Sequence, residues 1–238
     1  MRGITLALGL LIIVVQAVAN GQISGAPVQL PNQSIASTFV SAQVEPLRQF
    51  RALRHLEATN KRFNKHGWMD VRTELSPGNH FTFEVLAEGG SSYIRKKVLL
   101  PLLEGEREIV SRGDSAHTAL TTTNYDFAAE EPVGSGVIRL TVRPLRNEMT
   151  LIDGALFVTD TDADLVRIEG RLAKNPSFWT RRVDIVRRYG RVAGVRVPLG
   201  VESIARIRIA GKSEMTMTYE YEMVNGLIVD PSSGRSTQ

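Results

Sequence analysis

The stretch Glu214-Met215-Thr216-Met217-Thr218-Tyr219-Glu220-Tyr221-Glu222-Met223 alternates a polar residue with a large apolar one from end to end. Successive side chains of an extended strand point to opposite faces. Met215, Met217, Tyr219, Tyr221 and Met223 therefore predict one buried face, with Glu214, Thr216, Thr218, Glu220 and Glu222 on a wet one. A helix would scatter the same residues around its axis.

The two-residue period extends upstream. Ile138, Leu140 and Val142 oppose Arg139, Thr141 and Arg143, and Val166, Ile168, Gly170 and Leu172 oppose Arg167, Glu169 and Arg171. Phe81, Phe83 and Val85 alternate with Thr82, Glu84 and Leu86, between Ser76-Pro77-Gly78-Asn79 and Gly89-Gly90. Those boundaries predict a hairpin whose partner strand spans 69–75. Residues 134–226 read as nearly continuous antiparallel sheet. The segment 46–53 fits a helix or a strand equally well.

Helical signals are few. Ser91 or Ser92 can cap a helix in which Tyr93, Ile94, Val98 and Leu102 recur on one side, with Arg95, Lys96 and Lys97 on the other. Pro101 has no amide hydrogen, which predicts a bend or an end near the third turn. A second short helical piece fits 115–120. One or two helices cannot cover so much sheet unless the sheet curls. The expected class is α+β, mostly β: a strongly curved antiparallel sheet, an unclosed half-barrel, with one or two helices packed as a lid.

Residues 1–19 carry Arg2, an apolar run over 4–15 and a small-x-small site at Ala17-Val18-Ala19, which predicts a signal peptide and export, periplasmic in a diderm bacterium. Retention of this segment as an anchor is the alternative. Residues 20–41 are expected to form a flexible arm, 42–228 a single domain and 229–238 a polar tail. The 238 residues are 42% hydrophobic and 23% charged, as in a folded globular protein. The absence of Cys excludes disulfides, zinc thiolates, a cysteine nucleophile and a lipid-modified cysteine. A net charge of +4 and 6% aromatics do not point to nucleic acid.

No catalytic set emerges. His55, His66, His80 and His117 lack metal-ligand spacing. Asp114-Ser115-x-His117 holds the residue types of a triad, but packs them into one turn, and no G-x-S-x-G accompanies it. Asp160-Thr161-Asp162-Ala163-Asp164 begins like a calcium loop, yet Leu165 and Arg171 stand where Gly and Glu are required, so a hairpin turn is expected. No metal or cofactor is called for. What remains is the Met/Tyr stripe. Met side chains re-pack around an apolar guest and Tyr suits a cavity rim. With Leu99, Leu102 and Leu103 of the helix, Met215, Met217, Tyr219, Tyr221 and Met223 are the candidate lining of a hollow for acyl chains. Of the pairs Arg181-Arg182 and Arg187-Arg188, each is expected to put one Arg inward and one outward. Arg182 and Arg188 are the candidate contacts for an anionic head group or a partner.

The order of these features, with the segments Gly136-Val-Ile-Arg-Leu-Thr-Val-Arg-Pro144, Gly154-Ala-Leu-Phe-Val158, Leu165-Val-Arg-Ile-Glu-Gly170 and Tyr219-Glu-Tyr221, resembles the outer-membrane lipoprotein-sorting, or periplasmic lipoprotein carrier (LolA-like), proteins. The similarity runs over roughly 68–224. It implies an unclosed antiparallel barrel with a helical lid and a hydrophobic cavity that receives lipid chains without chemistry. The expected function is an exported, non-enzymatic carrier or binding protein for lipid or lipoprotein acyl chains in the bacterial envelope. The expected partners are those chains and an inner- or outer-membrane envelope protein. The alternative is an envelope sensor or interaction module of the same fold without lipid cargo.

Overall fold

The computed structural model describes residues 34–113 and 115–230. The sequence-predicted signal segment, the arm up to residue 33, Asp114 and the tail beyond residue 230 lie outside them. Eleven strands form one antiparallel sheet: β1 (Phe50–Asn60), β2 (Lys65–Ser76), β3 (His80–Gly90), β4 (Tyr125–Pro132), β5 (Val137–Pro144), β6 (Ile152–Thr159), β7 (Leu165–Leu172), β8 (Thr180–Val192), β9 (Val195–Ile207), β10 (Gly211–Val224) and β11 (Leu227–Ile228). Their order is β3-β2-β1-β10-β9-β8-β7-β6-β5-β4, and the short β11 pairs with β10. The sheet does not close, since β3 and β4 remain its two edges. Val71 on β2 and Leu140 on β5 nevertheless share one buried cluster, so the strands wrap around a common inside.

Bulges and missing side chains allow that curl. Six register shifts interrupt five of the pairings, and each extra residue bends its strand. Gly154 and Gly170 face each other across β6 and β7. A Cβ on Gly154 would lie 2.1 Å from the Glu169 carbonyl oxygen and 2.5 Å from the Gly170 Cα.

The chain passes from β3 to β4 through α2 (Ser92–Ile94), a π-helical turn (Arg95–Leu99), α3 (Leu100–Arg112) and α4 (Ser115–Thr118). The first three segments run on as one helix over 92–112. Pro101 neither ends nor breaks it, which corrects the expectation that the helix could stop there. The preceding turn is widened, with the Leu100 N–H donating to the Arg95 carbonyl five residues back, so the proline sits near the start of α3 rather than inside a regular α-helix. Gly113 closes the helix in the left-handed conformation at φ 69°.

Other differences also have identifiable causes. The end of the arm is a helix, α1 (Ile35–Ser41), because the Ser34 hydroxyl accepts from the Ser37 N–H and the Glu130 carboxylate accepts from the Ile35 and Ala36 N–H groups. Phe39 then packs into the core beside Phe127. The undecided segment resolves as the start of β1. Val166 is exposed and Leu165 buried, because Leu165 pairs with Val158 and Arg167 with Phe157, which leaves Val166 unpaired. The Asp160-to-Asp164 stretch is the β6–β7 turn, as expected. Its Asp164 carboxylate accepts from Arg191 Nε at 2.7 Å and Arg196 Nε at 2.7 Å.

Gly154→Ala is expected to destabilise the fold by about 3 kcal/mol, the upper range for overpacking. The denaturation midpoint measures it, and a loss under about 0.5 kcal/mol would show that the close approach of β6 to β7 is not required.

Candidate functional site

The inner face of the sheet is built by the period that the sequence announces. On β10, Ser213, Met215, Met217, Tyr219 and Tyr221 point inward and are buried, while Glu214, Thr216, Thr218 and Glu220 alternate with them. Met223 leaves the stripe and is half-buried. Arg51 pairs with Met223 and Ala52 with Tyr221, so Glu222 is an extra residue and the inward position passes to Val224. Leu99, Leu102 and Leu103 of the helix are at most 2% exposed and join the same cluster as Met215, Met217, Tyr219 and Tyr221. Seven of the eight sequence-selected apolar residues are thus brought together between sheet and helix.

Two features of the site lie at opposite ends of the stripe. At one end, where β1 turns into β2 and β9 into β10, an apolar pocket of about 240 Å³ opens between the start of the helix and the sheet. Phe63, Tyr93, Ile94, Val98 and Ala210 supply its apolar wall, and Ser213 places it in line with Met215 and Met217. Asn60 closes the floor, its amide donating to the Ala210 carbonyl at 3.0 Å and the Ser213 hydroxyl at 2.7 Å. Lys65 holds its ammonium 4.4 Å from the centre of the Tyr93 ring, a cation poised at an apolar rim. The helix comes this near to β2 because Gly67 has no side chain. A Cβ there would stand 3.0 Å from that of Ile94.

Toward the other end the helix is fastened by a buried ion pair. Arg54 on β1 and Glu106 on α3 are each 1% exposed, with Nη1 to Oε2 at 2.6 Å and Nη2 to Oε1 at 3.1 Å. The guanidinium also lies against the Phe50, Phe81 and Tyr219 rings, the last at 4.7 Å. Burial, the largest single effect, would lower the pKa of Arg54, but the Glu106 carboxylate together with Tyr219 and Tyr221 outweighs it and raises the pKa above the usual range. Burial likewise raises the pKa of the Tyr219 and Tyr221 phenols. Tyr221 donates to the Pro198 carbonyl at 2.9 Å, whereas the buried Tyr219 hydroxyl and the buried Nε of Arg187 have no hydrogen-bond partner among the described residues.

The arginine pairs divide only in part as expected. Arg187 points inward at 5% exposure and Arg188 outward, where it pairs with Glu202 at 2.5 Å. Arg181 and Arg182 are both exposed, because the register shift between Thr180 and Arg182 makes Arg181 the extra residue. Arg182 pairs with Asp184 at 2.5 Å. Arg182 and Arg188 therefore sit on the outer face, across the sheet from the Met/Tyr stripe. Arg54, Glu106 and Arg187 were not singled out from sequence. Their signals were present: Arg54 occupies an inward position between Ala52 and Leu56, and Glu106 falls one helical turn beyond Leu102 and Leu103. Among the described residues no group of His, Asp or Glu could hold a metal ion.

Glu106→Leu is expected to cost about 3–5 kcal/mol by stranding Arg54, and adding Arg54→Met should restore most of it. Denaturant curves of both single variants and the double variant decide this, and additive losses would refute the pairing. Raised phenol pKa values favour the folded state below pH about 10, the ordinary tyrosine value, and that contribution is lost as the pH rises beyond it. Absorbance of ionised Tyr219 and Tyr221 should therefore grow in step with alkaline unfolding. The Tyr219→Phe/Tyr221→Phe protein should lack that component.

No protein-family model matches the chain, and no curated protein matches it. Among solved structures, the chain is similar to a LolA superfamily protein from Nitrosomonas europaea at 8% identity and a TM-score of 0.34, covering 77% of this chain and 88% of that one. It is also similar to a DUF1329 family protein from Desulfovibrio piger at 11% identity and a TM-score of 0.34, covering 78% and 88%.

Proposed function

We propose that the protein is an exported, non-enzymatic binding protein that takes the apolar chain of a lipid or lipoprotein between its sheet and its long helix. The observation that carries this reading is the pocket beside Val98, apolar in its walls, open to solvent and in line with the Met stripe. Its 240 Å³ lie just below the span typical of small-molecule sites, about 300–1,000 Å³, so a longer guest must part the residues behind it. Met215 and Met217 stand there, and unbranched thioether side chains re-pack at small cost. The π-helical turn over Arg95–Leu99 weakens the helix beside the opening, while Arg54 and Glu106 anchor it farther on. An acyl chain would enter past Val98, with its head group at Lys65 on the rim. Leu99, Leu102, Leu103, Met215, Met217, Tyr219 and Tyr221 would line the opened hollow.

A second reading keeps Arg182 and Arg188 as partner contacts. An open groove of about 560 Å³ on the outer face is lined by Arg139, Arg171, Arg182, Asp184 and Glu202 among others, a mixed-charge surface suited to an envelope protein. Native mass spectrometry of the protein taken from its own cells separates the two: bound lipid supports the first, and a co-purifying protein lost on Arg182→Glu supports the second.

Delipidated protein should bind a fluorescent fatty-acid analogue. Val98→Trp, which fills the pocket, and Met217→Glu, which puts a charge behind it, should each weaken binding about tenfold or more while far-ultraviolet circular dichroism keeps its β signature. Absence of uptake by the parent protein, or full uptake by Val98→Trp, would sink the proposal.

A further inference from the structure

Strand order places the β1–β2, β7–β8 and β9–β10 connections at one end of the sheet, and contacts join them. The Arg208 N–H donates to the Trp179 carbonyl at 2.8 Å, Asn60 reaches the Ala210 carbonyl, and a Cβ on Gly211 would meet Arg62 at 3.5 Å. This end also carries the mouth of the apolar pocket, which Phe63, Lys65 and Ala210 border.

Two properties set these connections apart. The first is apolar exposure: Phe63 is 50% exposed, Phe178 74%, Trp179 40% and Ile209 46%. Such side chains normally turn inward, and here four project from adjoining turns. The second is charge. The first turn contributes Lys61, Arg62 and Lys65, the second Lys174 and Arg181, and the third Arg208 and Lys212, while residues 61–65, 173–181 and 208–212 contain no Asp or Glu. The neighbouring Glu214 pairs with Lys61 and Lys212, and the remaining cations of these turns have no ion pair among the described residues. The whole chain carries only +4, so this end is far more basic than the average surface.

We propose that this end of the half-barrel docks on an anionic phospholipid membrane, with Phe178, Trp179, Ile209 and Phe63 entering the interfacial layer and the surrounding Lys and Arg meeting lipid phosphates. Aromatic side chains favour that layer, and each cation near an anionic leaflet adds roughly fivefold in affinity. Arg208 lies 4.7 Å from the Phe178 ring, so one turn presents the apolar anchor and the phosphate contact together. An acidic protein would satisfy the cations but leave the exposed aromatic residues without a matching apolar layer. The orientation also brings the pocket mouth to the membrane surface. The docking surface stands on its own residues, and only its use for loading lipid rests on the proposed function.

The chain has two tryptophans, Trp68 and Trp179, so Trp68→Phe leaves Trp179 as the sole reporter. On adding vesicles of phosphatidylcholine mixed with phosphatidylglycerol, its emission should shift to the blue and become shielded from acrylamide. Vesicles of phosphatidylcholine alone should bind about tenfold more weakly, and raised salt should release the protein from the anionic ones. The charge-reversed variant Arg62→Glu/Lys174→Glu should lose about tenfold or more, and Phe178→Ser/Ile209→Ser should lose the blue shift. No shift with anionic vesicles, equal binding by the charge-reversed variant, or binding of polyglutamate in place of vesicles would each overturn the proposal. The fatty-acid analogue, measured on the same samples, keeps the two readings apart. Vesicle binding without uptake upholds the docking end and removes the cavity, whereas uptake without vesicle binding overturns the docking end.

Discussion

An antiparallel sheet of this width exposes one apolar face that has to be covered, and the described residues include one long helix with which to cover it. Every other feature follows from that imbalance. The sheet wraps until residues as far apart in strand order as Val71 and Leu140 lie in one cluster. Bulges and the facing Gly154 and Gly170 let it bend. The helix over 92–112 seals what the wrap leaves open, and Phe39 of α1 covers ground near Phe127 that the helix does not reach.

A single cover has to be held in place, and the buried Arg54–Glu106 pair does this. Two charges taken out of water are poor providers of stability, but they define position sharply. A helix packed by Leu99, Leu102 and Leu103 alone could slide by a turn and still bury leucine. A guanidinium bracketed by three aromatic rings admits its carboxylate in one place only. The helix is thus pinned at Glu106 and departs from regular α geometry in the π-helical turn over Arg95–Leu99, and that turn borders the pocket through Val98.

The fold was legible because period two is hard to mimic. Stretches such as 214–221, 138–143 and 81–85 contain enough alternation to assign strands, and the shortage of helical pattern argued for an unclosed curve. What stayed hidden were departures of a single residue. Val166, Met223 and Arg181 stand where the period gives way, because each lies at or beside a bulge whose extra residue has no mark of its own in the sequence. The helix at Ile35–Ser41 depends on Glu130, distant in the chain, for its first amides. The Arg54–Glu106 pair depends on a contact across more than fifty residues, which local pattern cannot supply. The pocket was missed for a related reason: its walls come from a turn, a helix start and a second turn, each unremarkable by itself.

The asymmetry of the two sheet faces bears on what the arginines are for. On the outer face Arg139, Arg171, Arg182 and Arg188 each lie against a carboxylate, and exposed pairs of this kind contribute little beyond solubility and a blunted surface. On the inner face Arg54 has a partner and the Nε of Arg187 has none. At that end of the sheet Arg62, Lys174 and Arg208 have no carboxylate among the described residues either, but they are exposed to water, where an unpaired cation is cheap to keep. Net charge thus collects where the sheet stops and the pocket opens, while the broad outer face is locally neutral. On the proposed docking, such a surface would meet an anionic layer end-on, since the three turns at that end combine cations without ion pairs and carry no Asp or Glu of their own.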